Sequence, residues 1–232
     1  MEEEQEEKDN QVKKLKLFIV LVYAIMSLEL ILGPMFAGKT SALQSIIKRH
    51  ESLGIKCAVY KPMSDTRYGK DFYMYSHDQS KVSALPVKYL TTHQAYEPYT
   101  ISELIIVEEG QFFNDLYEFV IKAVEVDKKR VVVAGLDGDC FRKPFGEILS
   151  LIPLADKITK LTSLCKLCSD GTDGLFSFRK TKSKEVVEVG GSETYMPLCR
   201  KHYLMCSAEQ DQIDDRPTIQ VQEEFRPINY QP

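Results

Sequence analysis

The eight residues Gly33-Pro34-Met35-Phe36-Ala37-Gly38-Lys39-Thr40 match the phosphate-loop pattern G-x-x-x-x-G-K-[ST] at every specified position. The glycines let the backbone curl so that successive N–H groups point at phosphate oxygens. Lys39 adds a positive charge near the β- and γ-phosphates, and the Thr40 hydroxyl suits Mg²⁺. The stretch predicts a binding site for a nucleoside triphosphate with Mg²⁺.

The segments on either side of this loop have the expected strand–loop–helix pattern. Leu28–Leu32 is a short apolar run typical of a buried strand. Ser41–Arg49 places apolar Leu43, Ile46 and Ile47 on one helical face. A helix that begins at the loop directs its partial positive charge at a bound phosphate. This setting favours a functional site over a glycine-rich turn with an incidental lysine.

A second apolar run, Leu104–Val107, leads directly into Glu108 and Glu109. In phosphate-loop enzymes one carboxylate at the end of such a strand serves Mg²⁺. A carboxylate beside it can accept a proton from an attacking hydroxyl. The pair is weak evidence alone, but its place downstream of a phosphate loop makes it a candidate catalytic pair.

The order of apolar runs and helical patterns predicts an α/β fold with a mostly parallel sheet across residues 27–156. Further strands are expected at Lys56–Lys61, Val82–Ala84 and Arg130–Leu136, and helices at Thr92–Tyr99 and from Phe113 to about Glu125. Ligands of parallel sheets bind at the carboxyl ends of strands. The loop Asp65-Thr66-Arg67 follows such an end, so Arg67 either reaches a phosphate or is a solvated surface residue.

Residues 157–206 no longer alternate between strand and helix patterns, and they contain closely spaced cysteines. Cys165 and Cys168 form a C-x₂-C pair, and Cys199 and His202 form a C-x₂-H pair, which is typical of structural Zn²⁺. Cys206 is a rival for the fourth ligand. Between the pairs, Phe176–Lys180 and Glu185–Val189 are predicted to form a β-hairpin closed by the metal.

Composition limits the possible partners and compartment. The chain of 232 residues has a net charge of −4, which argues against a nucleic-acid partner. Its six cysteines fit a reducing, cytoplasmic compartment better than a secreted disulfide scaffold. The polar, acidic segment 207–232 is predicted to be a disordered tail.

The N-terminal extension, residues 1–26, contains the apolar run Leu17–Met26 behind an acidic start. Three interpretations are open: a membrane anchor, an additional helix packed on the domain, or translation that starts at Met26. The last is favoured, since the run is short for a bilayer and the acidic start is unlike a signal peptide.

With these motifs in order, the chain between about 27 and 203 resembles type II thymidine kinases, the cytosolic, cellular and bacterial type. The resemblance implies a RecA-like phosphate-loop domain with a zinc-held β lasso, and transfer of phosphate from ATP to the 5′-hydroxyl of thymidine, with deoxyuridine a secondary substrate. It also implies a homotetramer and inhibition by thymidine triphosphate. The motifs that carry it are Leu30–Thr40, Asp65–Tyr68, Glu109–Phe113, Gly135–Gly138, Arg142–Phe145 and the Cys/His lasso with Gly190–Tyr195.

The resemblance also assigns roles to individual residues. Glu109 matches the catalytic base, and Ser177 matches the residue whose hydroxyl contacts the base edge. ATP-binding positions are Gly33, Pro34, Met35, Phe36, Ala37, Gly38, Lys39, Thr40, Asp65, Thr66, Arg67, Glu108 and Gln111. Thymidine-binding positions are Met35, Phe112, Leu136, Cys140 or Phe141, Ser177, Val186, Val187, Glu188, Val189, Gly190 and Tyr195.

Two positions depart from the family's usual pattern: Glu108 replaces Asp, and Cys140 replaces Phe. Either Phe141 enters the pocket in place of the missing ring, or a stacking contact is absent there. Because of these two departures, a non-catalytic homologue is an alternative interpretation. The basic residues Arg179, Lys180, Lys182 and Lys184 keep open a RecA-like ATPase whose zinc module binds nucleic acid.

Overall fold

The computed structural model describes residues 26–63, 72–75, 80–183 and 185–211. Twelve strands are formed within these ranges. They are β1 (Ser27–Leu32), β2 (Cys57–Pro62), β3 (Tyr73–Tyr75), β4 (Lys81–Ser83), β5 (Leu85–Val87), β6 (Leu104–Val107), β7 (Arg130–Gly135), β8 (Lys157–Lys160), β9 (Ser163–Leu164), β10 (Asp173–Gly174), β11 (Phe176–Arg179) and β12 (Tyr195–Leu198).

Three α-helices accompany the strands: α1 (Lys39–Glu51), α2 (Leu116–Ile121) and α3 (Arg200–Asp211). A π-helical turn, Lys122–Val126, continues α2. Segments of 3₁₀ helix occur at Thr91–His93, Gly110–Phe112 and Ile148–Leu154.

Six strands form the central sheet in the order β5-β2-β6-β7-β1-β8, and every neighbouring pair is parallel. The α/β prediction with a mostly parallel sheet is confirmed. Parallel sheets bury both faces, which is why β6 and β7 are almost continuously apolar. β8, which belongs to residues 157–206 where the cysteine pairs lie, is an edge strand of this sheet.

Alternation along each strand divides the core into two layers. Leu28, Leu30 and Leu32 of β1 pack on one face with the aromatic residues of the α2 side, whereas Ile31 packs on the other face with α1. Both layers are buried, so the sheet is a rigid support for the loops that leave its carboxyl edge.

The lasso region folds as two small antiparallel pairs, β9 with β10 and β11 with β12. The predicted pairing of Phe176–Lys180 with Glu185–Val189 is therefore wrong. β11 pairs instead with Tyr195–Leu198, and the intervening valines lie half exposed outside any strand.

The predicted helix at Thr92–Tyr99 and the predicted start of the tail also need correction. Thr92–Tyr99 forms only the 3₁₀ turn Thr91–His93 followed by turns, because a proline at 98 disfavours helical backbone at the residue before it. Near the C-terminus, α3 continues to Asp211, so the first five residues of the predicted tail, 207–211, are helical. The Gln210 side chain donates to the Arg179 carbonyl at 3.2 Å, which ties that helix end to the lasso.

The N-terminal apolar run, apart from Met26, and the rest of the tail lie outside the described residues, as does Asp65-Thr66-Arg67. Within the described ranges, no helix is long and apolar enough to cross a membrane.

Gly33 is expected to be essential for folding at the junction of β1 and β8. Its φ is +150°, and a Cβ atom there would overlap the backbone carbonyl of Leu161. Gly33→Ala should lower the free energy of unfolding by about 3 kcal/mol or more. Gly54→Ala is the control, since Gly54 (φ +75°) has open space around it and should cost only about 1–2 kcal/mol of backbone strain. Urea denaturation measures both, and equal losses would contradict the steric argument.

Candidate active site

The phosphate loop joins β1 to α1 at the carboxyl edge of the sheet. Phe36 (φ 64°) and Gly38 (φ 80°) have left-handed backbone, which turns the loop back over the start of the helix. The Lys39 ammonium donates to the carbonyls of Gly33 at 3.1 Å and Pro34 at 2.8 Å. A cavity of about 670 Å³ lies against this loop, and residues 35–41 line it.

Glu108 and Glu109 follow β6 at the same edge and line the same cavity. The Thr40 hydroxyl donates to Glu108 Oε1 at 2.7 Å, and Glu108 is only 7% exposed. The longer Glu side chain therefore reaches the phosphate-loop hydroxyl. A hydroxyl beside a carboxylate is a pair of oxygen ligands that suits Mg²⁺.

Glu109 is held in place by Gln111, which is 2% exposed. Gln111 Nε2 donates to Glu109 Oε2 at 2.6 Å, and Gln111 Oε1 accepts the Leu136 N–H at 3.0 Å. The second bond fixes which way the amide faces, so its N–H group points at the carboxylate. Glu109 itself has left-handed backbone (φ 50°), a conformation uncommon in non-glycine residues.

Gln111 thus lies behind the catalytic candidate and does not line either cavity described here, although the resemblance grouped it with ATP-binding positions.

A smaller cavity of about 80 Å³ adjoins the first. Met35, Glu109, Val189 and Gly190 line both cavities. The smaller one brings together most of the expected thymidine-binding residues: Met35, Phe112, Leu136, Cys140, Ser177, Val186, Val187, Glu188, Val189, Gly190 and Tyr195. Glu109 therefore lies at the junction between the phosphate-loop cavity and this second cavity.

A hydrogen bond from the Met35 N–H to Ser177 Oγ, at 2.9 Å, connects the lasso to the phosphate loop. Tyr195 donates its hydroxyl to the Glu188 carbonyl at 2.8 Å. The Glu188 carboxylate accepts from the Thr181 hydroxyl at 2.6 Å and lies 3.7 Å from Arg179 Nε. These contacts occupy the charged group, so the 186–190 segment offers the cavity mainly its backbone and valines.

Cys140 lines the smaller cavity, whereas the Phe141 ring lies beside the Arg179 guanidinium at 5.3 Å from its centroid. Burial raises the pKa of the Cys140 thiol. The structure therefore brings Cys140, and not Phe141, to the cavity wall.

Several lining residues were missed by sequence reasoning. Asp139 and Phe145 line the smaller cavity, and Lys61, Tyr73, Met74, Tyr75, Ser192 and Glu193 line the larger one. Asp139 had a usable signal: a carboxylate in a Gly-containing loop often accepts nearby backbone N–H groups. Here Asp139 Oδ1 accepts from Phe141 and Lys143 at 2.8 Å each.

The predicted zinc ligands from the two pairs lie close together in the structure. One ligand atom from each of Cys165, Cys168, Cys199 and His202 lies within 4.8 Å of the others. His202 Nδ1 is 3.4, 3.3 and 3.4 Å from the three sulfurs, and the Cys168 and Cys199 sulfurs are 3.8 Å apart. A tetrahedral zinc ion with ordinary bond lengths needs edges of roughly 3.6 Å for S···N and about 3.8 Å for S···S. The donor set therefore fits zinc.

Electrostatics favour a thiolate at Cys165, whereas burial raises the pKa of Cys168 to about 11. Burial alone would raise the pKa of Cys165, but hydrogen bonds from the Cys199 and Cys168 backbones and from His202 outweigh it and lower the pKa to about 6. Cys206 packs beside the cluster without belonging to the ligand group.

Residues 26–203 match the family model for thymidine kinase. A thymidine kinase from Oryza sativa subsp. japonica is 43% identical over 181 residues, covering 76% of this chain and 66% of the rice protein, just under two thirds of its length. Thymidine kinase a from Arabidopsis thaliana is 40% identical over 186 residues, covering 77% and 75% of the two chains.

The cytosolic thymidine kinase of Homo sapiens is 39% identical over 183 residues, covering 79% of this chain and 75% of the human protein. Among solved structures, the flagellar accessory protein FlaH from Methanocaldococcus jannaschii aligns with 60% of this chain and 73% of its own at a TM-score of 0.40 and 16% identity, which is too distant to inform on function. The family model and the sequence relatives agree with the two cavities that meet at Glu109, and the chain belongs to the thymidine kinase family.

Proposed function

We propose that this protein is an ATP-dependent thymidine kinase that transfers the γ-phosphoryl group of ATP to the 5′-hydroxyl of thymidine. The observation that carries the proposal is the position of Glu109, which lines both the phosphate-loop cavity and the smaller cavity beneath the lasso. A group at this junction contacts the donor phosphate and the acceptor nucleoside at once.

On the donor side, the phosphate-loop N–H groups and Lys39 bind the phosphates of ATP. Thr40 and Glu108 would hold Mg²⁺, which neutralises charge on the phosphates when it is bound with ATP. Phosphoryl transfer needs positioning and charge stabilisation more than covalent chemistry, and this edge of the sheet supplies both. Arg67 stays a prediction for a further phosphate contact.

On the acceptor side, Glu109 accepts the proton of the 5′-hydroxyl while the new P–O bond forms and the bond to the departing ADP oxygen breaks. The Gln111 amide stabilises the ionised carboxylate and keeps one of its oxygens occupied. Closure by the lasso keeps out water, which would otherwise compete as the acceptor.

Base selection is assigned to the lasso. Ser177 Oγ accepts the Met35 N–H, so its own O–H proton can be donated to a thymine carbonyl. Backbone groups of residues 186–190 supply the remaining polar contacts. Zinc on Cys165, Cys168, Cys199 and His202 would hold the lasso and take no part in the chemistry.

The nucleic-acid alternative has little support in this geometry. Arg179, one of the basic residues that motivated it, is 4% exposed, and its guanidinium donates to the carbonyls of Ser183 and Glu185. Lys180 donates to the Ser192 carbonyl. A homotetramer, inhibition by thymidine triphosphate, a cytoplasmic location and use of deoxyuridine remain part of this proposal on the strength of the family resemblance.

Removing the proposed base should abolish most turnover. Glu109→Gln is expected to lower kcat by about 10²–10⁴-fold while thymidine binding and zinc content are retained. Gln111→Met should lower kcat less and move the acid limb of the pH–rate profile to higher pH, because the ionised carboxylate loses a hydrogen-bond donor. Coupled ADP-release assays on the purified protein measure both. Normal turnover by Glu109→Gln would remove Glu109 from the mechanism, and absence of turnover in the wild type would refute the proposed function.

Thymidine should be the preferred nucleoside, deoxyuridine should be somewhat poorer, and deoxycytidine should be nearly excluded. Cytosine reverses hydrogen-bond polarity at its 4-position, so fixed backbone groups would be left unpaired, a mismatch that discriminates by roughly 10⁴-fold or more. A lost methyl group costs only about 1–3 kcal/mol. The ratio of kcat/KM for the three nucleosides tests this. Efficient deoxycytidine phosphorylation would show that side chains read the base.

We expect one zinc ion per chain. His202→Ala should lose the metal, whereas Cys206→Ser should keep it, since Cys206 lies outside the ligand group. Chelation should lower the thermal stability, because binding of a structural zinc ion contributes directly to folding. Elemental analysis and thermal denaturation give the result. Metal-free fresh protein, or zinc lost from Cys206→Ser and kept by His202→Ala, would contradict the assignment.

A further inference from the structure

Lys61 is a buried lysine in the wall of the phosphate-loop cavity. It is the penultimate residue of β2, at the carboxyl edge of the sheet, and only 5% of it is exposed. The neighbouring Tyr60 pairs with Val107 of β6, and the Glu108 N–H donates to the Tyr60 carbonyl at 2.9 Å. Lys61 therefore lies beside the strand end that carries the two acids.

The charge of Lys61 is poorly compensated. Its ammonium donates to the Tyr73 carbonyl at 2.7 Å, and within the described ranges no carboxylate is within ion-pair distance of it. Lys157 and Lys160, by contrast, pair with carboxylates while their side chains stay 65% and 59% exposed. Burying an ammonium that has a carbonyl partner but no counter-charge is costly, so a cation kept in this wall calls for an anionic ligand.

We propose that Lys61 is a second phosphate-binding cation of the donor site and contacts the γ-phosphoryl group. This inference rests on the proposed function. Lys61 lines the cavity together with Glu108 and Glu109. Lys39 comes from the phosphate loop and Lys61 from β2, so the two ammonium groups flank the transferred group, whose charge is spread over three oxygens in the transition state.

A purely structural role is the competing explanation, because the bond to Tyr73 also ties β3 to β2. The two roles differ in what they do to nucleotide preference. Loss of a γ-phosphate contact weakens ATP far more than ADP. Loss of a structural tie weakens both nucleotides together and lowers the melting temperature.

The test compares Lys61→Met with Lys129→Met. Lys129 is a matched control, since its ammonium donates to the Ser102 carbonyl at 2.6 Å and it does not line either cavity. Titration calorimetry with ATP and with ADP, without nucleoside, should show ATP affinity reduced by roughly 10- to 100-fold in Lys61→Met, the range for a lost charge-assisted hydrogen bond. ADP affinity should change by less than about threefold, and Lys129→Met should change neither.

A second variant keeps the proposal testable if Lys61→Met does not fold. Lys61→Gln retains a donor for the Tyr73 carbonyl but carries no charge, so it should show the same selective loss of ATP affinity. Unchanged ATP affinity, or equal losses of ATP and ADP with a lower melting temperature, would overturn the inference. The binding measurement needs no thymidine, so it is independent of the proposed function. If the wild type binds ATP but phosphorylates no nucleoside, the proposed function is refuted. The role of Lys61 is still decided by the ratio of ATP affinity to ADP affinity in the variants.

Discussion

The pairing of β7 with both β1 and β6 is the constraint on which the site depends. Leu32 is opposite Gly135, and Val107 is opposite Val133, so the loops after β1 and β6 leave the same edge two strand spacings apart, roughly 10 Å. That separation lets the Thr40 hydroxyl meet the Glu108 carboxylate. The end of β7 also makes room for Gln111, because a Cβ on Gly135 would overlap its side-chain oxygen. One buried strand thus sets the distance between the phosphate loop and Glu108. It also leaves room for the Gln111 side chain, which orients Glu109.

The lasso depends on a different source of stability. Among the described residues, its buried core consists of Cys165, Phe178, Leu198, Cys199 and Tyr203, and two of these are metal-ligand candidates. A core this small stabilises little by burial, so a metal that joins the start of the lasso to its end would supply much of its folding free energy. Tyr203 extends the connection, since its hydroxyl donates to the Cys140 carbonyl at 2.7 Å. Zinc would therefore act on the nucleoside cavity only by holding these segments in place.

The features predicted correctly from the sequence are those that a short stretch of residues determines by itself. Apolar runs located the central strands, the loop pattern located the phosphate site, and cysteine spacing located the zinc candidates. Prediction from the sequence failed where a long-range contact or a single residue decides the outcome: Pro98 stops a helix, and β11 pairs with a strand that was not recognised. The contacts of Gln111 and Lys61 were not predicted, for a related reason. Their roles depend on partners such as Leu136, 25 residues away, which no local pattern reveals.

The two departures from the family pattern have different structural consequences. Glu108 reaches Thr40, so its extra methylene leaves the hydroxyl–carboxylate pair intact. Cys140 gives the wall of the smaller cavity less aromatic surface than a phenylalanine would, and the Phe141 ring does not replace it because that ring packs against Arg179. Its contact with Arg179 would be given up on entering the cavity, and Arg179 is itself anchored to lasso carbonyls. The aromatic rings that do line this cavity are Phe112, Phe145 and Tyr195, and the first two meet edge to face at 5.4 Å. A nucleoside bound here would therefore find its aromatic contacts on these three rings, with a thiol where the family usually has a fourth.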